Sequence, residues 1–180
     1  QVETATLSYG YGLSVTATQL AHAYATLANG GRSLPLSLLK VDQPPTGEQI
    51  IPEDVSKQLL TMLRGTVDGE GGTGSRARVP GYQIGGKTGT VHKAEAGGYA
   101  KDRYRSVFAG VAPISNPRFA AVVVIDEPSK GEYYGGLVAA PVFGHIMSGA
   151  LRLMNVTPDD LPALQQVELP PVKKETGERG

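Results

Sequence analysis

A chain of 180 residues suffices for one domain with a real core, and 40% hydrophobic against 19% charged residues is a globular composition. Lysine plus arginine and aspartate plus glutamate balance at 17 each, which leaves no electrostatic case for nucleic acid or an anionic membrane surface. The absence of cysteine excludes disulfides and thiol catalysis, and His22, His92 and His145 are too scattered for a zinc site.

The first ten residues have neither a basic n-region nor an apolar core, so no signal peptide is expected there, and no run of eighteen apolar residues suggests a membrane span. Gly10-Tyr11-Gly12 reads as a turn. Thr16 is a candidate N-cap for a helix whose stripe is Ala17, Leu20, Ala21, Tyr24, Leu27 and Ala28, stopped by Gly30-Gly31. His22 falls off that stripe and reads as a boundary residue. Leu36 to Val41 is a short strand candidate. Pro44 to Gly47 is a turn, and Gln49 to Ile51 is expected to pair back. Pro52 is placed at N1 of a second helix with Glu53 and Asp54 in its first turn, an apolar face of Val55, Leu59, Met62 and Leu63, and an end near Asp68-Gly69.

Gly69 to Gly74 matches a loose dinucleotide fingerprint, but it follows a helix instead of a strand and is expected to be a flexible connection. From Tyr82 the period becomes two. Strands are expected over Tyr82 to His92, Tyr104 to Ala112 and Phe119 to Asp126, with a polar loop from Lys93 to Asp102. Short connections favour an antiparallel meander, and the third strand is apolar enough to be buried on both faces. After a loop carrying Tyr133 and Tyr134, a helix is expected over about 138–154, with Pro141 in its first turn. Its apolar face would be Val142, Phe143, Ile146, Met147, Ala150, Leu153 and Met154, and His145 takes a structural or solvent role. From Thr157 the chain is rich in proline and charge and is expected to be loosely held.

The chemistry concentrates in Ile84-Gly85-Gly86-Lys87-Thr88-Gly89-Thr90-Val91-His92. With Gly81 the stretch satisfies the phosphate-loop pattern G-x-x-x-x-G-K-[ST], and Val122 to Glu127 has the apolar-then-acidic form of a Walker B segment. A phosphate loop needs a buried strand before Gly81 and a helix starting at Lys87-Thr88. Arg76 to Pro80 is a poor buried strand, and Gly89-Thr90-Val91 is a poor helix start. The connections are also too short for crossover helices.

Read as a strand, the same residues put Thr88 and Thr90 on one side and Lys87 on the other. Two hydroxyls side by side suit a carboxylate. Gly89 lets another backbone approach. If that edge is free, the Thr90 N–H can serve an oxyanion hole and an extended peptide can dock by strand addition.

Lys87-Thr88-Gly89-Thr90 also resembles the third signature of the penicillin-interacting serine enzymes. The segments Gly10 to Gly31, Gly85 to Thr90, Phe108 to Pro113, Val122 to Pro128, Tyr134 to Phe143 and Leu151 to Val156 resemble, in order, class B penicillin-binding proteins, with most similarity to the division-specific septal transpeptidases of Gram-negative bacteria. Ala17 departs from the proline of many members. The resemblance implies an α+β fold, an antiparallel sheet flanked by helices, as in penicillin-binding transpeptidases and serine β-lactamases. It implies that residues 1–156 are the C-terminal part of a transpeptidase domain and 157–180 a flexible tail.

The pattern departs from the family in one larger respect. There is no S-x-N, and the one S-x-x-K, Ser37-Leu38-Leu39-Lys40, lies on a predicted strand after the first helix, where the family has no nucleophile. Ser37 is therefore a decoy, and the chain alone is expected to be inactive. By resemblance, the intact enzyme is anchored in the inner membrane and works in the periplasm without metal or cofactor. It cross-links stem peptides ending in D-Ala-D-Ala through an acyl-serine, and β-lactams imitate that terminus. Lys87 would orient the S-x-N serine, Thr88 and Thr90 would bind the terminal carboxylate beside Gly89, and the Thr90 N–H would join the oxyanion hole. Tyr104, Tyr133 and Tyr134 are candidate walls of the acyl pocket, with ordinary loop packing as their alternative. Implied partners are stem peptides, β-lactams, the upstream part of the same protein and divisome membrane proteins, and no nucleic acid. Two alternatives from other classes are a non-catalytic peptide- or partner-binding domain and a P-loop NTPase.

Overall fold

The computed structural model describes residues 13–43, 45–95, 98–129 and 131–160. In chain order the elements are α1 (Ala17–Ala28), β1 (Arg32–Ser33), β2 (Glu48–Gln49), α2 (Glu53–Asp68), a 3-10 turn (Ser75–Ala77), β3 (Gly85–Glu95), β4 (Gly98–Ala112), β5 (Phe119–Asp126) and α3 (Gly135–Leu153).

β3, β4 and β5 form an antiparallel meander in that spatial order, with β3 and β5 at its two edges. Among the described residues no strand pairs with either outer edge. Register sets the faces. Gly86 lies opposite Gly110, Thr88 opposite Phe108 and Thr90 opposite Ser106, so these share one face. Phe108 pairs onward with Val123. That face is covered by α3, whose Phe143 ring centroid sits 4.9 Å from that of Phe108, both fully buried. The opposite face, with buried Ala109 and Val111, is covered by α1 and α2. The result is an α+β arrangement of a sheet between helices.

Local chemistry accounts for the helix starts. Thr16 and Gln19 form a reciprocal capping box at α1. Pro52 is the N-cap of α2 instead of N1, and its carbonyl accepts from the Ser56 N–H at 3.0 Å, with Glu53 and Asp54 against the positive end of the helix. α3 begins three residues before the predicted start. Tyr134 is its N-cap, and Pro141 lies well inside the helix, not in its first turn. The buried face of α3 is Ala139, Ala140, Phe143, Gly144, Met147 and Leu151, while Val142, Ile146, Leu153 and Met154 are exposed. The expected stripe was rotated because it favoured large apolar residues, whereas the close packing of α3 uses small ones. By length and hydropathy alone α3 matches a membrane span, but Phe143, Met147 and Leu151 place it in the core.

Other expectations are corrected. No strand forms over Leu36 to Val41. Leu36, Leu38, Leu39 and Val41 are exposed, and β1 pairs instead with β2. The loop expected from Lys93 to Asp102 is mostly strand, because β3 runs on to Glu95 and β4 starts at Gly98, around a register shift between His92 and Ala94. An arm of charges stabilises this extension. Lys93 pairs with Asp126 and Glu127, Arg103 with Glu95 and Glu127, and Arg105 with Asp126. In β5 only Val123 is buried and Val124 is exposed, as an edge position dictates. The chain stays anchored past the expected boundary at 156. Asp159 accepts from the Gln83 N–H at 2.8 Å, and the Tyr82 hydroxyl donates to the Val156 carbonyl at 2.6 Å. The expectations for residues 1–12 and 161–180 lie outside the described residues.

Candidate active-site edge

Lys87 to Thr90 lie within β3, and no helix begins there, which removes the phosphate-loop reading. The Walker-like segment is β5, antiparallel to its neighbour, whereas a phosphate-loop sheet is parallel.

A strand residue directs its own N–H and C=O to the same side, and successive residues alternate. The Thr66 hydroxyl of α2 donates to the Gly86 carbonyl, and Lys87 Nζ donates to the Thr88 carbonyl at 3.0 Å. Both carbonyls therefore point away from β4, and the same alternation turns the Thr90 N–H and C=O to the outer edge. The edge thus presents main-chain groups next to an exposed ammonium that has no carboxylate partner among the described residues.

The two threonine hydroxyls share the α3 face, and each already has a partner. Thr90 Oγ1 accepts from the Gly135 N–H at 3.0 Å, so the first turn of α3 fixes that hydroxyl. Thr88 Oγ1 lies 3.0 Å from Thr73 Oγ1, with either atom able to donate. Three segments distant in sequence thus meet at these hydroxyls: the Gly69–Gly74 loop, β3 and the start of α3. The loop that was expected to be a mere connection brings in Thr73. Close packing forces the juxtaposition. A Cβ on Gly135 would stand 2.4 Å from the Gly89 oxygen and 2.5 Å from the Val107 oxygen, and one on Gly136 would stand 2.2 Å from the Thr73 oxygen. By contrast, a Cβ on Gly89 would meet only Val107 Cβ at an ordinary 3.5 Å. The close approach to the β3 backbone is therefore made possible by Gly135.

Tyr104, Tyr133 and Tyr134 are brought together. Tyr104 and Tyr133 are stacked with centroids 4.0 Å apart, and Tyr133 and Tyr134 are tilted at 4.5 Å. The buried Ser106 hydroxyl donates to the Tyr133 carbonyl. The Tyr133 hydroxyl beside that of Tyr134 raises the Tyr134 phenol above its ordinary value. His92, the cross-strand partner of Tyr104, adds a fourth ring at 4.4 Å.

Ser37 is not brought to this edge by any helix start. It sits in an exposed loop, where its hydroxyl donates to the Leu39 carbonyl at 2.8 Å and accepts from the Leu39 N–H. Thr73, Gly135 and His92 were not singled out from the sequence as site residues. Strand alternation does place His92 with Thr88 and Thr90, whereas the other two are joined to β3 only by tertiary packing.

A family model described as the penicillin binding protein transpeptidase domain matches residues 1–148. Peptidoglycan D,D-transpeptidase FtsI of Escherichia coli K12 is 50% identical over 160 residues, which is 89% of this chain and 27% of that protein. A probable peptidoglycan D,D-transpeptidase, PbpC of Pseudomonas aeruginosa, is 43% identical over 89% of this chain and 28% of its own length. The chain therefore spans little more than a quarter of these curated relatives. The apo structure of the TP domain from Burkholderia pseudomallei penicillin-binding protein 3 superposes with a TM-score of 0.82 at 43% identity, covering 89% of this chain and 49% of that one.

Proposed function

The chain belongs to the penicillin-binding protein transpeptidase family, and from that premise we propose that it is the C-terminal part of a peptidoglycan D,D-transpeptidase domain that cross-links stem peptides during division. The observation that carries the proposal is the strand-free outer edge of β3, where Thr66 and Lys87 hold the Gly86 and Thr88 carbonyls and the Thr90 main chain faces outward, with the Lys87 ammonium on one face and the Thr88 and Thr90 hydroxyls on the other. An extended peptide added along that edge pairs with the outward main chain of β3 at Thr90. Its terminal carboxylate meets Thr88 and Thr90.

The reaction starts with attack by a serine oxygen, supplied by the upstream part of the protein, on the penultimate D-Ala carbonyl. The tetrahedral oxyanion collects the Thr90 N–H together with the N–H of the nucleophile. Collapse breaks the peptide bond, releases D-Ala with a proton on its nitrogen, and leaves an acyl-serine. An amine of a neighbouring stem peptide then attacks the ester carbonyl, forms the cross-link and returns the serine hydroxyl. Lys87 orients the S-x-N serine and holds positive charge near the site, and Tyr104, Tyr133 and Tyr134 wall the acyl side. A β-lactam enters the first step and halts before the second. The enzyme works at the periplasmic face of the inner membrane among divisome membrane proteins.

The test is covalent labelling. The 180-residue chain alone forms no adduct with a labelled β-lactam, whereas the full-length protein does, and Lys87→Ala in the full-length protein abolishes acylation. Near-normal acylation of Lys87→Ala removes its assigned role. An adduct on the isolated chain that disappears in Ser37→Ala overturns the location of the nucleophile. Reversible stem-peptide binding without acylation in the full-length protein supports the non-catalytic reading instead.

A further inference from the structure

The four rings His92, Tyr104, Tyr133 and Tyr134 form a continuous ladder, and Tyr134 is followed by Gly135, whose N–H holds Thr90. The path leaves β3 at residue 92 and returns to it at residue 90. His92 is the only ring of the ladder on β3, and it is the ring farthest from α3 in this sequence of contacts. Tyr104 is held between two neighbours, with Tyr133 stacked at 13° and His92 tilted at 43°. Removing His92 frees one side of Tyr104.

The His92 ring is itself fixed. Its Nδ1 lies 2.8 Å from the Ala100 carbonyl, which can only accept, so Nδ1 carries the proton and donates. Ala100 belongs to β4 and is buried, so this bond ties the ring across the arm at the point where the register slips between His92 and Ala94. The next residue, Lys93, reaches across to Asp126 and Glu127. The irregularity in β3 therefore separates two anchoring side chains, one folded onto the tyrosines and one onto the end of β5.

We propose that His92 is a positioning residue that holds Tyr104, and through it Tyr133 and Tyr134, as the wall that selects the acyl side chain of the substrate or β-lactam. The proposal rests on the reading of the three tyrosines as that wall. His92 takes no part in bond making. Its contribution is the geometry of the rings, and it scales with how much of the ligand reaches them.

The experiment compares acylation of the full-length protein by a penicillin with a bulky aromatic acyl side chain and by one with a side chain no larger than acetyl. The readout is the ratio of their second-order acylation constants, bulky over small. In His92→Ala this ratio falls about two- to tenfold, the range of a single aromatic contact. His92→Phe, which keeps a ring but not the donor, restores most of the ratio. His92→Asn, which keeps a donor but not the ring, does not. A purely structural role would lower acylation by both penicillins together and leave the ratio in place, and that result overturns the proposal. If Tyr104→Ala lowers the ratio while His92→Ala leaves it unchanged, His92 is dismissed and the tyrosine wall stands. If neither variant changes it, the wall reading itself fails and takes the role of His92 with it.

Discussion

Gly135→Ala tests whether the start of α3 sets the working geometry of Thr90. The added Cβ would stand 2.4 Å from the Gly89 oxygen, whereas ordinary contact begins at 3.4 Å. The atoms it meets, the Gly89 and Val107 oxygens and the Gly89 nitrogen, are backbone inside a paired sheet and cannot swing aside. The first turn of α3 must therefore retreat by about 1 Å. That stretches the bond from the Gly135 N–H to Thr90 Oγ1 from 3.0 Å to about 4 Å, beyond hydrogen-bonding range. Overpacking of this kind costs about 1–3 kcal/mol. The lost hydrogen bond adds about 1 kcal/mol. The expected destabilisation is therefore about 2–4 kcal/mol. Loss of the restraint on Thr90 lowers β-lactam acylation about fivefold, the equivalent of that one hydrogen bond. Gly149→Ala on the same helix is the comparison, because nothing lies within 4 Å of its added Cβ. It should stabilise by about 0.5–1 kcal/mol and acylate normally. Both are measured in the full-length protein, by denaturant unfolding and by acylation with a fluorescent β-lactam. If Gly135→Ala acylates like wild type and melts like Gly149→Ala, the account of α3 as the support of Thr90 is wrong.

Phe143→Ala removes a fully buried ring that packs on Phe108, and should cost about 3–5 kcal/mol in denaturant unfolding; a loss under about 1 kcal/mol would mean that α3 is not held by this contact. The charged arm predicts a pH window. Hydrogen bonds to Lys93 hold the Asp126 and Glu127 carboxyls below their ordinary range, with Arg105 adding to the effect on Asp126. The same bonds raise Lys93. The carboxylates therefore contribute stability above their unfolded values of about 3.9 and 4.3, and lose it as pH falls through the lower folded ones. Lys93 contributes fully below its unfolded value of about 10.4, and loses its share as pH rises through the higher folded one. The difference in unfolding midpoint between wild type and Lys93→Ala should hold through neutral pH and shrink in acid, and a difference that is constant into strong acid counts against the arm.

The local rules read the bounds of α1 and β5 and, within a residue, the extent of α2, because caps and bounding turns agree there, but the expected apolar face of α2 is wrong at Val55 and Met62, which are exposed, while Ser56, Leu60 and Val67 are buried. They failed where tertiary context decides. Leu36 to Val41 has the composition of a strand, but among the described residues it pairs with no strand, and Leu36, Leu38, Leu39 and Val41 are exposed. The start of α3 is hidden by Gly135 and Gly136, weak helix formers that serve there because they admit the β3 backbone and the Thr73 carbonyl. At the site, alternation along Lys87 to Thr90 correctly separated the lysine from the two hydroxyls. It had no means of finding Thr73, fifteen residues away from its partner, or Gly135, forty-five away. Hydrogen bonds of that reach depend on how helices lie across a sheet, and nothing in the periodicity of β3 reports it.

The two borders of the sheet differ in a way that governs how the isolated chain behaves in solution. β3 carries its own guards, since Lys87 caps one outward carbonyl and Thr66 another. Along β5, Phe119 to Ile125 offers seven successive uncharged residues without proline or lysine, and no described strand pairs with their free side. Such a border is a template on which a second copy can grow. Preparations of the 180-residue piece should therefore show concentration-dependent self-association that nucleates there. A single lysine at the exposed Val124 would act as a gatekeeper, raising the solubility limit without touching the face that packs on α3.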